Sequence, residues 1–314
     1  SFKIEPKPIT ITADSITKTY DGNTDVPRAA TFTLAGKIGN DNVSVNDDNL
    51  VFASKDVNAS KNEETNQIVI GDVNIVARKG SDGKDLSVLT GADAGNYTAD
   101  ISGLKGTITR KPLDVYVTFA NKPWDGSDSG PTTIESITPT GAIENGVTAE
   151  VTERSGLTFD GASVGSHLTT GASINVGFKV DGKTTYNYTQ GTVSYNSGES
   201  GAKIVKATFT LDSTYVPKSY IYGNDATALA IDLSNLKLAG GTSVGQSVIN
   251  YINGRSEKPR LFPNSAEVSV SGYYNAGKNY SVSVSIPTED QGNYEIVLNP
   301  TGWTITIEQY VLTV

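Results

Sequence analysis

The chain has 314 residues, of which 37% are hydrophobic and 19% charged, and its 25 basic and 34 acidic residues give a net charge of −9. Carboxylates dispersed in this way are typical of a solvated acidic surface, which opposes binding to nucleic acids and to anionic membranes. Cysteine is absent and histidine occurs once, which excludes a disulfide framework and ordinary zinc sites, and the apolar runs are too short to predict a membrane span.

Alternating polar and apolar residues run through most of the chain and predict β-strands. Asp-Gly and Asn-Gly pairs between these runs supply the positive φ angles that tight turns need, and Asp181-Gly182 gives the strongest hairpin signal. Many short strands with frequent turns predict an all-β fold of the sandwich type, Ig-like or related. The alternating runs lie at residues 9–12, 68–70, 73–77, 113–117, 174–180, 207–211, 268–270 and 280–286.

A short aromatic–acidic–glycine motif follows a strand-like run three times, roughly once every hundred residues. The copies are Tyr20-Asp21-Gly22, Trp124-Asp125-Gly126 and the variant Tyr222-Gly223-Asn224. Solenoid repeats are about 20–50 residues long, so this longer period indicates a tandem array of whole domains.

Further landmarks recur in the same order. Each unit opens with an alternating strand and carries an Asn-Tyr pair before its last strand, at Asn96-Tyr97, Asn187-Tyr188 and Asn293-Tyr294. We therefore predict three domains, at residues 1–110, 111–205 and 206–314. The junctions between them are short, which predicts an elongated, semi-rigid rod.

Both ends of the sequence continue this pattern. Residues 2–8 resemble the passage from one unit to the next, and residues 310–314 resemble the first strand of a further unit. We therefore expect a monomeric segment of a larger array.

One stretch departs from the strand pattern. Residues 243–252 place Val244, Val248, Ile249 and Ile252 at helical spacing, and Asn253-Gly254 supplies a stop signal. A short helix is predicted there, although Gly245 weakens it.

Two Gly-x-Ser-x-Gly sequences, centred on Ser163 and Ser243, match the nucleophile elbow of serine hydrolases. The elbow needs a histidine later in the chain, and the single candidate, His167, follows Ser163 by four residues. Phe159 and Val164 have the same spacing as Phe52 and Val57, which indicates a structural loop around Ser163. We expect no catalytic residues, no cofactor and no enzyme activity.

Clustered oxygen ligands raise the alternative of a calcium site. Asp41, Asp47 and Asp48 lie in two Asn/Asp-rich stretches, but these lack the glycine and glutamate of an EF-hand loop. Solvated turns are the favoured interpretation, and the three aspartates are weak calcium candidates.

The aromatic–acidic–glycine motif also has two interpretations. Tyr20, Trp124 and Tyr222 could stack on a sugar face while Asp21 and Asp125 accept hydrogen bonds from its hydroxyl groups. Alternatively, the ring packs at the edge of the domain while the aspartate caps a turn. The exchange of Tyr for Trp favours packing, so these five residues are weak binding candidates.

The first unit resembles the YDG domain of large bacterial surface proteins and haemagglutinin-like adhesins. The resemblance covers most of residues 7–110 and rests on residues 18–24, 52–57 and 89–97. The third unit is similar to the related MBG domains, and the second is similar to a diverged copy. The resemblance implies an exported bacterial protein, often attached to the cell wall, in which such domains repeat as stalks. It supplies no catalytic or ligand residues.

The sequence and the resemblance together favour a non-catalytic stalk of a bacterial cell-surface adhesin, which extends a distal binding domain. The alternative is an adhesive module that binds a host or microbial glycan or protein through exposed Tyr and Trp surfaces. The expected location is extracellular, at the bacterial cell surface.

Overall fold

The computed structural model describes residues 2–215, 219–223, 230–264, 268–302 and 304–313. Its contacts divide the chain into two compact units. Unit 1 contains residues 1–116, 137–153 and 174–194, and unit 2 contains residues 117–136, 154–173 and 195–314. The predicted middle domain contributes to both units, so the three-domain boundaries stay a prediction.

Residues 1–110 fold into two main sheets and two small strand pairs within unit 1. The strands are β1 (Lys7–Ala13), β2 (Thr17–Thr19), β3 (Phe32–Ala35), β4 (Ser44–Val45), β5 (Leu50–Phe52), β6 (Ala59–Lys61), β7 (Ile68–Ile70), β8 (Val73–Ala77), β9 (Leu89–Thr90), β10 (Tyr97–Asp100) and β11 (Lys105–Thr109). The main sheets have the strand orders β10-β1-β3 and β2-β11-β8-β5, and the pairs are β4-β9 and β6-β7.

Residues 111–205 form three sheets. The strands are β12 (Lys111–Phe119), β13 (Lys122–Pro123), β14 (Ile134–Thr140), β15 (Val147–Ser155), β16 (Ser173–Val180), β17 (Lys183–Thr184), β18 (Tyr188–Tyr195) and β19 (Ile204–Val205), and the sheet orders are β14-β12-β18, β13-β19 and β15-β16-β17. The predicted hairpin is confirmed: Asp181 and Gly182 have φ angles of 48° and 78°, and they join the antiparallel strands β16 and β17.

Residues 206–314, in unit 2, form two sheets. The strands are β20 (Ala207–Asp212), β21 (Ser219–Ile221), β22 (Leu236–Leu238), β23 (Arg260–Pro263), β24 (Lys278–Ser285), β25 (Tyr294–Asn299) and β26 (Thr304–Glu308), and the helix is α1 (Gln246–Asn253). The sheet orders are β22-β20-β25 and β21-β26-β24-β23. The all-β prediction is confirmed, with one α-helix among the described residues.

The first and third regions repeat one topology. In each, the strand before the motif pairs in parallel with the last strand, β2 with β11 and β21 with β26. The strand after the Asn-Tyr pair runs parallel to the first strand, β10 beside β1 and β25 beside β20. The middle region keeps the first of these pairings, between β13 and β19. The sequence landmarks therefore mark structurally equivalent positions.

Burial follows the predicted period of two. Ile9 and Ile11 of β1 are buried while Thr10 and Thr12 between them are exposed. The first strands of the other two regions, β12 and β20, alternate in the same way. One face of each first strand therefore packs into a core and the other meets solvent.

The predicted helix is confirmed, but it begins three residues later than the pattern indicated. Gly245 has extended φ and ψ angles and stands at the N-cap, and α1 runs from there to Asn253. Val248 and Ile252 are buried on its inner face. Among the described residues, no helix is both long and apolar enough to cross a membrane.

Candidate functional site

The motif turn in unit 1 is held by the side chain of Asp21. Its Oδ1 accepts hydrogen bonds from Lys18 Nζ at 2.8 Å and from the backbone N–H of Asn23 at 3.2 Å. Partial burial opposes ionisation of Asp21, but these two hydrogen bonds outweigh that effect and hold its pKa below the usual value. Gly22 has a φ of 78°, which explains why glycine follows the aspartate.

The turn in unit 2 has the same construction. Asp125 Oδ1 accepts from Lys122 Nζ at 2.8 Å and from the backbone N–H of Ser127 at 2.9 Å. Gly126 has a φ of 77°. The aspartates therefore act as turn caps, as the packing hypothesis expects.

A backbone hydrogen bond fixes the aromatic residue of each motif to the final residue of the last strand of its region. All three bonds have a length of 2.8 Å. They run from the N–H groups of Tyr20, Trp124 and Tyr222 to the carbonyl oxygens of Thr109, Val205 and Glu308, respectively. The three motif copies consequently share this hydrogen bond to the last strand.

The Tyr20 ring is buried against the Asn-Tyr pair of the following region, within unit 1. It is 2% exposed and meets Tyr188 edge to face, with ring centroids 5.5 Å apart. Tyr20 Oη donates to Glu144 Oε2 at 3.0 Å, and Tyr188 Oη donates to the same oxygen. Burial and the bond to Glu144 raise the pKa of both tyrosines.

Asn187 makes a second set of contacts at this place. Its Oδ1 accepts from the backbone N–H of Val57 at 2.9 Å, and its Nδ2 donates to Asp56 Oδ1 at 2.8 Å. Asn187 is 8% exposed, so both polar ends of its amide are satisfied in a buried position. We call the contact of Tyr20 and Val57 with Asn187, Tyr188 and Glu144 the Tyr20 junction.

The Trp124 ring lies in an equivalent contact within unit 2. It is 1% exposed and stacks on Tyr294, with centroids 5.2 Å apart and an interplanar angle of 19°. Tyr251 of α1 meets the indole edge to face at 5.0 Å, and Phe209 lies 6.3 Å away. Aromatic pairs in these geometries stabilise a contact beyond the area that they bury.

Polar contacts around Trp124 repeat those of the first junction. Asn293 Oδ1 accepts from the backbone N–H of Val164 at 3.1 Å, as Asn187 does from Val57. Ser247 Oγ of α1 donates to the carbonyl of Asp125 at 2.7 Å. This set of contacts is the Trp124 junction, and it confirms the alignment of Val164 with Val57.

Behind Tyr251 lies a buried carboxylate. Asp290 is 0% exposed and accepts from Tyr251 Oη at 3.0 Å and from Arg255 at 2.9 Å. Because both donors reach Asp290, its charge is compensated and the Tyr251 ring is held in place.

Tyr222, the third motif aromatic, has a different environment. It is half-buried and meets Tyr273 edge to face at 5.9 Å. With Gly223, Tyr310 and Leu312 it lines an open groove of about 640 Å³. The remaining motif residues, Asn224 and Asp225, lie outside the described residues.

The three weak calcium candidates do not form one cluster. Asp41 Oδ2 accepts from Tyr97 Oη at 2.5 Å, whereas Asp47 and Asp48 lie in a short 3₁₀ turn after β4. In the part of the chain that the structure describes, no group of three or more His, Asp or Glu side chains is placed to hold a metal ion.

The two elbow-like serines occupy different loops. Ser163 precedes a turn in which its carbonyl accepts from Ser166 N–H at 3.1 Å, and Ser243 Oγ accepts from Lys237 Nζ at 2.8 Å. His167 Nδ1 lies 3.9 Å from Asp160. Ser163 is followed by a turn and no helix, and α1 begins at Gln246, directly after the second sequence, but no histidine follows Ser243 in the chain. That the chain is not an enzyme stays a prediction.

The geometry defines a class of protein: repeated all-β regions in which an aromatic turn packs on the Asn-Tyr pair of the region after it, as Tyr20 and Trp124 do. Residues 5–103 match the YDG domain family. No curated protein and no solved structure matches the chain.

Sequence reasoning missed the partners of the motif aromatics. Glu144, Arg110 and Tyr251 were not singled out, although Arg110 Nε donates to the carbonyls of Tyr186 and Tyr188 beside the Tyr20 junction. The signal that could have found these contacts was the Asn-Tyr repetition, because the Asn-Tyr pair recurs once in each region, as the aromatic turn does.

Proposed function

We propose that this chain is a non-catalytic stalk segment of a bacterial cell-surface adhesin, which holds a distal binding domain away from the cell. The third region would be an MBG-type relative of the YDG domain, and the second a diverged copy. The location is extracellular, in an exported or wall-attached protein.

One observation carries this proposal: two of the three motif aromatics, Tyr20 and Trp124, join successive regions. Tyr20 and Trp124 are 2% and 1% exposed, and their rings contact the Asn-Tyr pair of the next region. A sugar would need an open aromatic face for stacking, which neither ring presents. A spacer needs fixed geometry between its repeats, and junctions of this kind supply it.

The acidic surface agrees with this role. A net charge of −9 keeps a long solvated protein soluble and opposes unspecific association with nucleic acids or anionic lipids. Partners of a spacer segment are the neighbouring domains of its own array.

Small-angle X-ray scattering tests the stalk. A compact globule of this chain length has a radius of gyration of about 20 Å, and a spacer should exceed this value clearly. Tyr20→Ala should broaden the distribution of interatomic distances by loosening one junction. The matched control is Tyr116→Ala, because Tyr116 is 46% exposed. A near-spherical envelope for the wild type would exclude the stalk.

A second candidate function is direct adhesion to a glycan or a protein. The observation that favours it is the groove beside Tyr222, which has a volume of about 640 Å³ and is lined by Tyr310 and Leu312. Both lining residues are largely exposed, at 63% and 80%. Screening of immobilised glycans should then give binding that Tyr222→Ala removes. Equal signals for wild type and variant would exclude this candidate.

A further inference from the structure

The two junctions use the same pair of surfaces. One is the turn surface, made by the motif aromatic and the first glycine after it. The other is the Asn-Tyr surface, made by the Asn-Tyr pair and the neighbouring loop, which carries Glu144 beside Tyr188 and Asp41 beside Tyr97. The turn surfaces of Tyr20 and Trp124 each contact an Asn-Tyr surface, at Asn187-Tyr188 and at Asn293-Tyr294.

A third turn surface belongs to Tyr222 and Gly223. As in the other two copies, the N–H of the aromatic residue donates to the last strand, here from Tyr222 to Glu308 at 2.8 Å. The glycine with a positive φ, Gly223 at 92°, follows its aromatic residue by one position, whereas Gly22 and Gly126 follow theirs by two. Its exposure differs, because Tyr222 is half-buried and Gly223 exposed whereas Tyr20 is buried.

A third Asn-Tyr surface belongs to Asn96 and Tyr97. Tyr97 Oη accepts from the backbone N–H of Ile38 at 2.9 Å and donates to Asp41 at 2.5 Å. Tyr188 has the same two partners, a backbone N–H at 3.1 Å from Ile143 and a carboxylate. Asn96 is exposed, whereas Asn187 is buried.

These two surfaces are complementary in chemistry. In the Tyr20 junction the incoming tyrosine donates its hydroxyl to Glu144, which already accepts from Tyr188. Asp41 accepts from Tyr97 as Glu144 accepts from Tyr188, and Tyr222, like Tyr20, has a hydroxyl group to donate. A tyrosine that docks on Asn96 and Tyr97 can therefore donate to Asp41.

We propose that the Tyr222 turn surface of one copy binds the Asn96 surface of a second copy, in the arrangement of the Tyr20 junction. This inference rests on the proposed function, because it uses the junction by which a stalk is built. The two surfaces differ, so the contact is head to tail and leaves one surface of each kind free to add further copies.

Sedimentation velocity over a concentration series tests the contact. The weight-average sedimentation coefficient of the wild type should rise with concentration up to about 1 mM, the upper range of weak complexes. Tyr222→Ala should weaken the association more than about tenfold, because central aromatic residues dominate the energy of an interface. Asn96→Arg should have the same effect by placing a bulky charge on the opposite surface.

A mixture of the two variants gives the sharpest result. Each variant retains one intact surface, so an equimolar mixture should form heterodimers and nothing larger, while each variant alone stays monomeric. Tyr116→Ala is the control and should associate like the wild type, because Tyr116 is exposed and belongs to neither surface. Thermal unfolding of every variant verifies that it is folded.

Three outcomes would overturn the proposal: a constant sedimentation coefficient in the wild type, association that both variants retain, or a mixture that does not form dimers. A glycan that binds at Tyr222 without self-association would overturn it as well. None of these results changes the scattering profile of the monomer, so the failure of this contact and the failure of the stalk are separate observations.

Discussion

The Tyr20 and Trp124 junctions have the same turn construction but different side-chain contacts. Both turns are capped by an aspartate and a lysine, and both rings contact a tyrosine that opens a strand. Tyr20 reaches a carboxylate, Glu144, with its hydroxyl. Trp124 instead lies among aromatic rings, those of Tyr251 and Tyr294.

This difference explains how tyrosine and tryptophan occupy one motif position. The loop that carries Glu144 is replaced by α1 in the third region, and α1 brings Tyr251 to the ring. The larger indole fills a wholly aromatic contact and needs no hydroxyl partner. Tyr294 Oη, buried beside it, has no hydrogen-bond partner within the described part of the chain. One junction therefore depends on a shared carboxylate and the other on ring packing.

The largest effect should follow removal of the indole. Trp124→Ala leaves a cavity among three aromatic rings, and substitutions of this kind cost about 3–5 kcal/mol. Denaturant unfolding should show this loss in the free energy of unfolding. The exposed control, Tyr116→Ala, should change that energy by no more than about 0.5 kcal/mol. Equal effects for the two variants would contradict the assigned packing.

Tyr97→Ala tests an Asn-Tyr pair that belongs to neither junction. Tyr97 and Tyr294 are buried, at 7% and 0% exposure. Loss of the Tyr97 ring should destabilise the first region by about 3–5 kcal/mol, as large-to-small core changes do. Hydrogen exchange should report the change in residues 1–110 and leave residues 206–314 unaffected.

Hydroxyl deletion separates the two junctions more finely. Tyr20→Phe removes a hydrogen bond to a charged group and should cost about 1–2 kcal/mol. Tyr294→Phe removes a buried hydroxyl without a partner, so its effect should be close to zero or slightly stabilising. Comparison of the two denaturation midpoints measures the difference. A larger loss for Tyr294→Phe would show that the packing contrast is wrong.

Alkaline pH gives a smaller effect with a definite sign. Burial, together with the bond to Glu144, raises the pKa of Tyr20 and Tyr188 in the folded chain. A raised folded pKa favours the neutral form, so this stability is complete below the unfolded value of about 10 and is lost as the pH rises above it. Unfolding free energies measured from neutral to alkaline pH should fall above about pH 10. The fall should be shallower in Tyr20→Phe.

The strands and the helix could be predicted because their signals are local. Alternation in residues 207–211 marked β20, and the spacing of Val248 and Ile252 marked α1. The helix start was misplaced because residues 243–245 continue the apolar spacing, while Gly245 takes an extended conformation. A local sequence pattern does not indicate which backbone conformation a single glycine adopts.

The junctions could be predicted in position but not in partners. The recurrence of the motif and of the Asn-Tyr pair showed where equivalent residues lie. Contact between Tyr20 and Glu144 spans 124 positions and depends on how a loop of the next region folds over the ring. In the third region α1 takes the place of that loop. The only sign of this change in the motif that packs against it is Trp124 in place of a tyrosine.

In the first and third regions, the first strand pairs in parallel with the strand that begins at the Asn-Tyr pair. This pairing has a mechanical consequence. Tension applied at the N-terminal end of β1 drags it lengthwise past β10, so the load falls on their hydrogen bonds together, in shear. That pairing spans four positions, from Lys7–Tyr97 to Thr10–Asp100. The equivalent pairing of β20 with β25 spans six, from Ala207–Tyr294 to Asp212–Asn299. If these parallel pairings carry the load, we expect the first region to unfold at the lower force.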